Sequence, residues 1–167
     1  MSVVADIVVS SPAWSSLADL DALTERAVRQ CVSASNVTLA ENCELCVAFS
    51  DDAEIRALNA RWRGQDKPTN VLSFPTPGAL AGKPLLGDIV IAHETVAREA
   101  REQGKTLRDH TAHMIVHGFL HLIGYDHETP RDAEAMETLE RRIALALGFP
   151  DPYAETEPPA DGERPDK

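Results

Sequence analysis

Five of the six histidines lie between His110 and His127, and three of them carry the spacing of metal ligands. Four residues along a helix turn the side chain by roughly 400°, so His117 and His121 share one face about one turn apart. Two imidazoles at that separation can converge on one ion at ~2.0–2.1 Å. Gly124 permits a left-handed backbone that reverses the chain and returns His127 as a third ligand. The pattern reads His-x3-His-x2-Gly-x2-His.

A lone histidine on a helix is ordinarily a core or surface residue, but three at this spacing with a glycine turn before the third point to a metal. Closed structural zinc sites use four ligands, usually with cysteine among them, whereas three protein ligands leave a position open for chemistry. No cysteine lies near in the sequence, and Asp126 is the neighbour able in principle to close the site. The expectation is one zinc ion per chain in an open site, although imidazole also suits nickel, copper and iron. The spacing matches metzincin peptidases, yet Gly118 stands where those enzymes place a glutamate as general base. Glycine takes no proton, so peptide hydrolysis by that route is the lesser alternative. His113, one turn before His117, and Asp126 are the remaining candidates for proton handling. Each competes with a plainer reading as a packing or hydrogen-bonding residue. His110 is a weaker candidate of the same kind, and Tyr125 reads as core.

The elements that must position these groups follow from periodicity and turn chemistry. Val3–Val9, Glu44–Phe49, Val71–Phe74 and Gly87–Ile91 read as four strands. Leu20, Leu23, Ala27 and Cys31 mark a first helix. Ser50 reads as the cap of a second, with Ile55, Leu58 and Trp62 as its apolar stripe. A third runs from about His93 to Gly104. Thr106-x-x-Asp109 opens the histidine helix, which Gly124 ends. Thr129-Pro130-x-Asp132 opens the last helix, whose buried stripe is Met136, Leu139, Ile143 and Leu147. Strands and helices without strict alternation predict an α+β fold with a small mixed sheet of about four strands. Residues 1–150 read as one domain and residues 151–167 as an acidic, proline-rich tail.

The 167 residues carry 16 Lys and Arg against 27 Asp and Glu, a net charge of -11. This argues against binding nucleic acid through global charge and leaves a local basic or metal-centred site open; no DNA partner is expected. One stretch runs against the balance: Arg56, Arg61, Arg63 and Lys67 against Asp66 give a local net of +3. Arg98, Arg101, Lys105 and Arg108 are offset by Glu99 and Glu102 and read as salt-bridged surface. Ser73 and Thr69 are candidate backbone contacts that turn and strand chemistry explain equally well. Cys43 and Cys46 resemble a redox or zinc half-site, but an offset of three on a strand places them on opposite faces and no second pair exists, so they read as structural cysteines. The sparse cysteines (Cys31, Cys43, Cys46), the lack of a ~20-residue apolar run and a start without a basic leader point to a cytoplasmic protein.

Three segments together, Asn59-Ala60-Arg61-Trp62-Arg63-Gly64-Gln65-Asp66-Lys67-Pro68-Thr69-Asn70-Val71-Leu72-Ser73-Phe74-Pro75, Leu86-Gly87-Asp88-Ile89-Val90-Ile91 and the His117–His127 run, resemble the YbeY family of bacterial endoribonucleases. The likeness covers about residues 40 to 153. It implies a zincin-like domain with His117, His121 and His127 as zinc ligands and Arg63 as the functionally important arginine. It also implies cleavage of single-stranded RNA near the 3′ end of 16S rRNA, and a role in ribosome quality control. The implied partners are ribosomal RNA, the small subunit and ribosomal or assembly-factor proteins. Arginine suits such work because its fork pairs with two phosphate oxygens at once. Arg61 and Lys67 are candidate RNA contacts. The alternative from another class is a ribosome-assembly factor whose metal is structural and whose RNA cleavage is weak or indirect.

Overall fold

The computed structural model describes residues 3–82 and 84–154. Four strands, β1 (Val3–Val9), β2 (Cys43–Ser50), β3 (Val71–Pro75) and β4 (Leu85–Ala92), form one sheet in the order β1-β2-β4-β3. The first three in that order run parallel, and β3 pairs antiparallel to β4 at the edge. Five helices accompany them: α1 (Leu20–Ser35), α2 (Asp52–Arg63), α3 (His93–Gln103), α4 (Leu107–Leu122) and α5 (Pro130–Leu147). This is the α+β arrangement with a mixed four-stranded sheet that the sequence predicts.

In β2 the side chains alternate: Cys43, Leu45, Val47 and Phe49 are buried, while Glu44 is exposed and Cys46 half-buried on the other face. The two cysteines therefore face opposite ways, as a period of two requires. β4 is buried on both faces over Ile89–Ala92. One face meets the main core, and the other joins Ile55 and Leu72 in a small second core with α2.

Helix α4 sits at the centre, packed on β3 and β4 and against α1, α3 and α5. From Thr111 to Leu122 every residue is buried except His113, His117 and His121, which recur at four-residue intervals and form the one half-buried stripe. Thr106 caps the helix by accepting from the Asp109 N–H at 3.0 Å. The stripe is the helix's opening toward solvent, and it is made of imidazoles.

Local corrections concern helix ends. Ser50 completes β2, and Asp51 caps α2 by accepting from the Glu54 N–H at 2.9 Å. Ser50 stays in the ladder opposite Ala92, and its hydroxyl meets the Glu54 carboxylate. Trp62 is not part of a buried stripe but 61% exposed. Ile55, Leu58 and Asn59 supply the packed face, and the last turn of α2 is open at Arg61, Trp62 and Arg63. Strand β4 begins two residues earlier than the sequence reading, at Leu85. Arg108 pairs with Asp19 at 2.7 Å and the Lys105 amine donates to the Pro152 carbonyl at 3.0 Å, so these two of the four cations Arg98, Arg101, Lys105 and Arg108 are tethered. Among the described residues no helix is long and apolar enough to cross a membrane.

Candidate metal centre

His117 and His121 leave α4 on adjacent turns with ring centroids 4.6 Å apart. Their Nε2 atoms face each other at 3.1 Å. Beyond Leu122 the Tyr125 N–H donates to the Leu120 carbonyl at 3.0 Å, closing a turn in which Gly124 adopts φ +106°. A side chain at that dihedral would be strained, so glycine is what lets the chain double back. His127 returns to stack on His117 at 5.0 Å and to meet His121 edge-on at 5.1 Å. Each of the three imidazoles offers a ligand atom within 4.8 Å of the others.

This donor set suits a divalent cation. A tetrahedral ion at ~2.0–2.1 Å holds two ligand nitrogens about 3.3 Å apart, close to the separation of the two Nε2 atoms. Burial, with the nearby His117 and His127, pulls the His121 imidazole down to about 4. At neutral pH it therefore keeps the lone pair a metal requires. Among the described residues no cysteine or carboxylate joins these three as a fourth ligand. Asp126 accepts instead from the Glu128 N–H at 3.0 Å within the turn.

The far side of His117 is held by a residue that sequence reasoning missed. Glu140 of α5, 1% exposed, accepts from His117 Nδ1 at 2.7 Å and from His113 Nε2 at 3.2 Å through the same oxygen, Oε2. The Tyr153 hydroxyl donates to Oε1 at 2.5 Å. Burial would raise the Glu140 carboxyl, but the two imidazoles outweigh it and hold the group below the usual carboxylate range. Burial and the Glu140 charge raise the Tyr153 phenol, which stays a donor. A carboxylate on Nδ1 fixes the tautomer that leaves Nε2 bare for a metal. The available signal was a charge inside an apolar stripe: Glu140 lies between Met136, Leu139 and Ile143.

His113, a sequence candidate for proton transfer, is drawn onto Glu140 and not into the three-imidazole group. Burial lowers its pKa against the pull of Glu140, so it serves as a neutral donor through Nε2. His110 is 2% exposed and meets Glu99 at 2.9 Å through Nε2, while Asn70 donates to the same carboxylate at 3.0 Å. Burial would raise Glu99, and these hydrogen bonds bring it below its ordinary value.

Arg63 ends α2 with its guanidinium donating to the Ser73 carbonyl at 2.7 Å and lying 5.6 Å from the Phe74 ring centre. The Ser73 hydroxyl donates in turn to the Gly118 carbonyl at 2.9 Å, so β3 links Arg63 to the residue after His117. Arg56, itself exposed, is paired with Asp66 at 2.8 Å, which leaves Arg61, Arg63 and Lys67 as the cations of that stretch without a carboxylate partner among the described residues. Arg61 lies 5.1 Å from the Trp62 ring centre. A Cβ at position 118 would meet Ile89 Cγ2 at 2.8 Å and Ser73 Oγ at 3.3 Å. The sheet fills the space in which a metzincin glutamate would have to begin.

A family model described as Endoribonuclease YbeY matches residues 13–148. A Methylocella silvestris protein named Endoribonuclease YbeY is 56% identical over 155 residues, covering 93% of this chain and 88% of its own. A Chelativorans relative of the same name is 51% identical over 152 residues, covering 89% of this chain and 92% of its own. A solution structure of a Thermotoga maritima protein has the same fold, with a TM-score of 0.52 and 24% identity over 90% of this chain and 99% of that one. Identity at this level over nearly the whole length leaves one assignment: the chain belongs to the Endoribonuclease YbeY family.

Proposed function

We propose that this chain is a zinc-dependent endoribonuclease acting on single-stranded RNA, in 16S rRNA 3′-end maturation and ribosome quality control in the cytoplasm. The observation that carries the reading is the group of three imidazoles within 4.8 Å, without a fourth ligand among the described residues, in a chain of this family. His117, His121 and His127 would hold the ion, and when bound it supplies Lewis acidity at a phosphoryl oxygen. Glu140 holds the His117 ring in position through Nδ1. Arg63 supplies cationic donors for charge that builds on the phosphoryl group, and Arg61 and Lys67 supply phosphate contacts along the strand. Gly118 offers no general base, so the proton of the attacking group goes elsewhere. A 2′,3′-cyclic phosphate end would identify the RNA 2′-hydroxyl as nucleophile, and its absence would exclude that route.

Purification without added metal, elemental analysis and cleavage of a small-subunit rRNA fragment test the reading together. One zinc per chain is expected, with both zinc and cleavage lost in His117→Ala. Equal cleavage by wild type and variant, free of contaminating nuclease, would overturn it.

The second reading is an assembly factor whose metal is structural and whose RNA cleavage is weak or indirect, and the net charge of -11, which repels free RNA, bears on both readings. Under the enzyme reading the ribosome or protein partners supply specificity, and cleavage of naked RNA is weak and salt-sensitive. The assembly reading predicts instead that His117→Ala unfolds the domain and that cleavage stays weak or indirect even on ribosomal particles.

A further inference from the structure

Tyr153 lies beyond the residues 13–148 matched by the family model, in a stretch whose composition reads as tail. It is nonetheless fastened at several points. Its N–H donates to Asp151 Oδ1 at 2.8 Å, and Arg141 approaches the same oxygen at 3.5 Å. Arg141 also lies 5.4 Å from the Tyr153 ring centre, and the His113 ring meets that ring edge-on at 5.4 Å. Next to it the Pro152 carbonyl takes the Lys105 amine at 3.0 Å. Lys105, His113, Glu140, Phe149 and Pro152 line a small pocket behind the imidazoles.

The consequence falls on Glu140. Oε2 receives both imidazoles, His117 at 2.7 Å and His113 at 3.2 Å, and Oε1 receives the Tyr153 hydroxyl at 2.5 Å. A carboxylate turns about its terminal torsion in a broad, two-fold well, so nothing within Glu140 itself keeps Oε2 on His117. A donor fixed on Oε1 removes that freedom. Hydrogen bonds to an ionised acceptor are about twice as strong as neutral ones, and an unsatisfied lone pair in this buried place would be costly.

We propose that Tyr153 is a positioning residue of the metal centre, locking the Glu140 carboxylate so that His117 keeps its proton on Nδ1 and presents Nε2. The segment after α5 thereby sets metal affinity from outside the ligand set. The proposal rests on His117 being a metal ligand, as argued above.

Zinc affinity by chelator competition, on the full chain, tests it in wild type, Tyr153→Phe, Glu140→Gln and the double variant. Outer partners of a ligand histidine are worth about 10- to 100-fold in affinity, and Tyr153→Phe is expected near the lower end of that range. Because Tyr153 acts through Glu140, the double variant should bind no more weakly than Glu140→Gln alone. Nitrogen NMR of the metal-free protein gives a second readout: His117 should be a single Nδ1–H tautomer in wild type and a mixture in Tyr153→Phe. Should Glu140→Gln fail to fold, that spectrum decides. Wild-type affinity together with an unchanged tautomer in Tyr153→Phe overturns the proposal and leaves the metal reading intact. A wild-type chain that binds no zinc overturns both.

Discussion

The Ser73 hydroxyl donates to the Gly118 carbonyl at 2.9 Å, joining the edge strand β3 to the histidine helix one residue after His117. The two backbones come close only because position 118 has no side chain: a Cβ there would lie 2.8 Å from Ile89 Cγ2 and 3.3 Å from Ser73 Oγ. The helix is thus set against the sheet at the point from which its imidazoles project. Gly118→Ala should lower stability by about 1–3 kcal/mol, the usual result of adding a methyl to a filled core. It should also weaken zinc binding, because the helix must shift by a few tenths of an ångström. Urea unfolding of the metal-free protein measures the first effect, and an unchanged midpoint would show that the contact is slack.

Arg63 reaches the same residue of β3, donating to the Ser73 carbonyl at 2.7 Å. It makes no hydrogen bond to any of the three imidazoles, so its loss should leave the ligands in place. Arg63→Ala is expected to retain one zinc per chain and lose about 100- to 1,000-fold in kcat, the scale of a missing donor at developing negative charge. Arg63→Lys should recover little, because an ammonium lacks the two-pronged fork. Full cleavage by Arg63→Ala would remove the arginine from the reaction.

Trp62 is 61% exposed between two arginines, with the Arg61 guanidinium 5.1 Å from its ring centre. An open indole beside cations is a surface on which an unpaired base can stack. Trp62→Ala should weaken binding of single-stranded RNA by about 1–3 kcal/mol while leaving zinc content and thermal midpoint unchanged. Fluorescence titration with a short oligonucleotide measures it. Undiminished affinity would confine recognition to phosphates.

Glu99 provides a pH test away from the imidazole group. Burial raises its carboxyl, and the His110 and Asn70 hydrogen bonds more than reverse that, so its folded pKa is depressed. A depressed carboxylate adds stability above its unfolded pKa, about 4.3, and that stability disappears as the pH falls through the folded value. Glu99→Gln should therefore be less stable than wild type near neutrality, and the gap should close in acid. Unfolding midpoints measured from pH 7 down to about pH 3 give the comparison, and parallel curves would refute the assignment.

How much of the centre was legible depended on how far each relation reaches along the chain. Helical periodicity is local, so the four-residue step from His117 to His121 sufficed to put both rings on one face. Gly124 and the short return to His127 are local too. The cap at Thr106, the proline start of α5 and the four strands follow from the same short-range rules. Ser50 and Trp62 departed from expectation because a cap and an exposed turn depend on what the neighbouring strand and sheet already occupy.

Glu140 and Tyr153 were not legible in that way. The carboxylate lies 23 residues from His117, and the phenol reaches it from a stretch that composition alone assigns to solvent. Spacing cannot say which face of α5 meets α4, since that follows from how the helices pack once the core is filled. The sequence by itself determined three converging imidazoles and the turn that gathers them. Only the tertiary structure decided which carboxylate holds His117, what holds the carboxylate, and where Arg63 and Trp62 lie. Ligand spacing is a property of one helix and its turn, whereas orientation comes from side chains that only packing brings together.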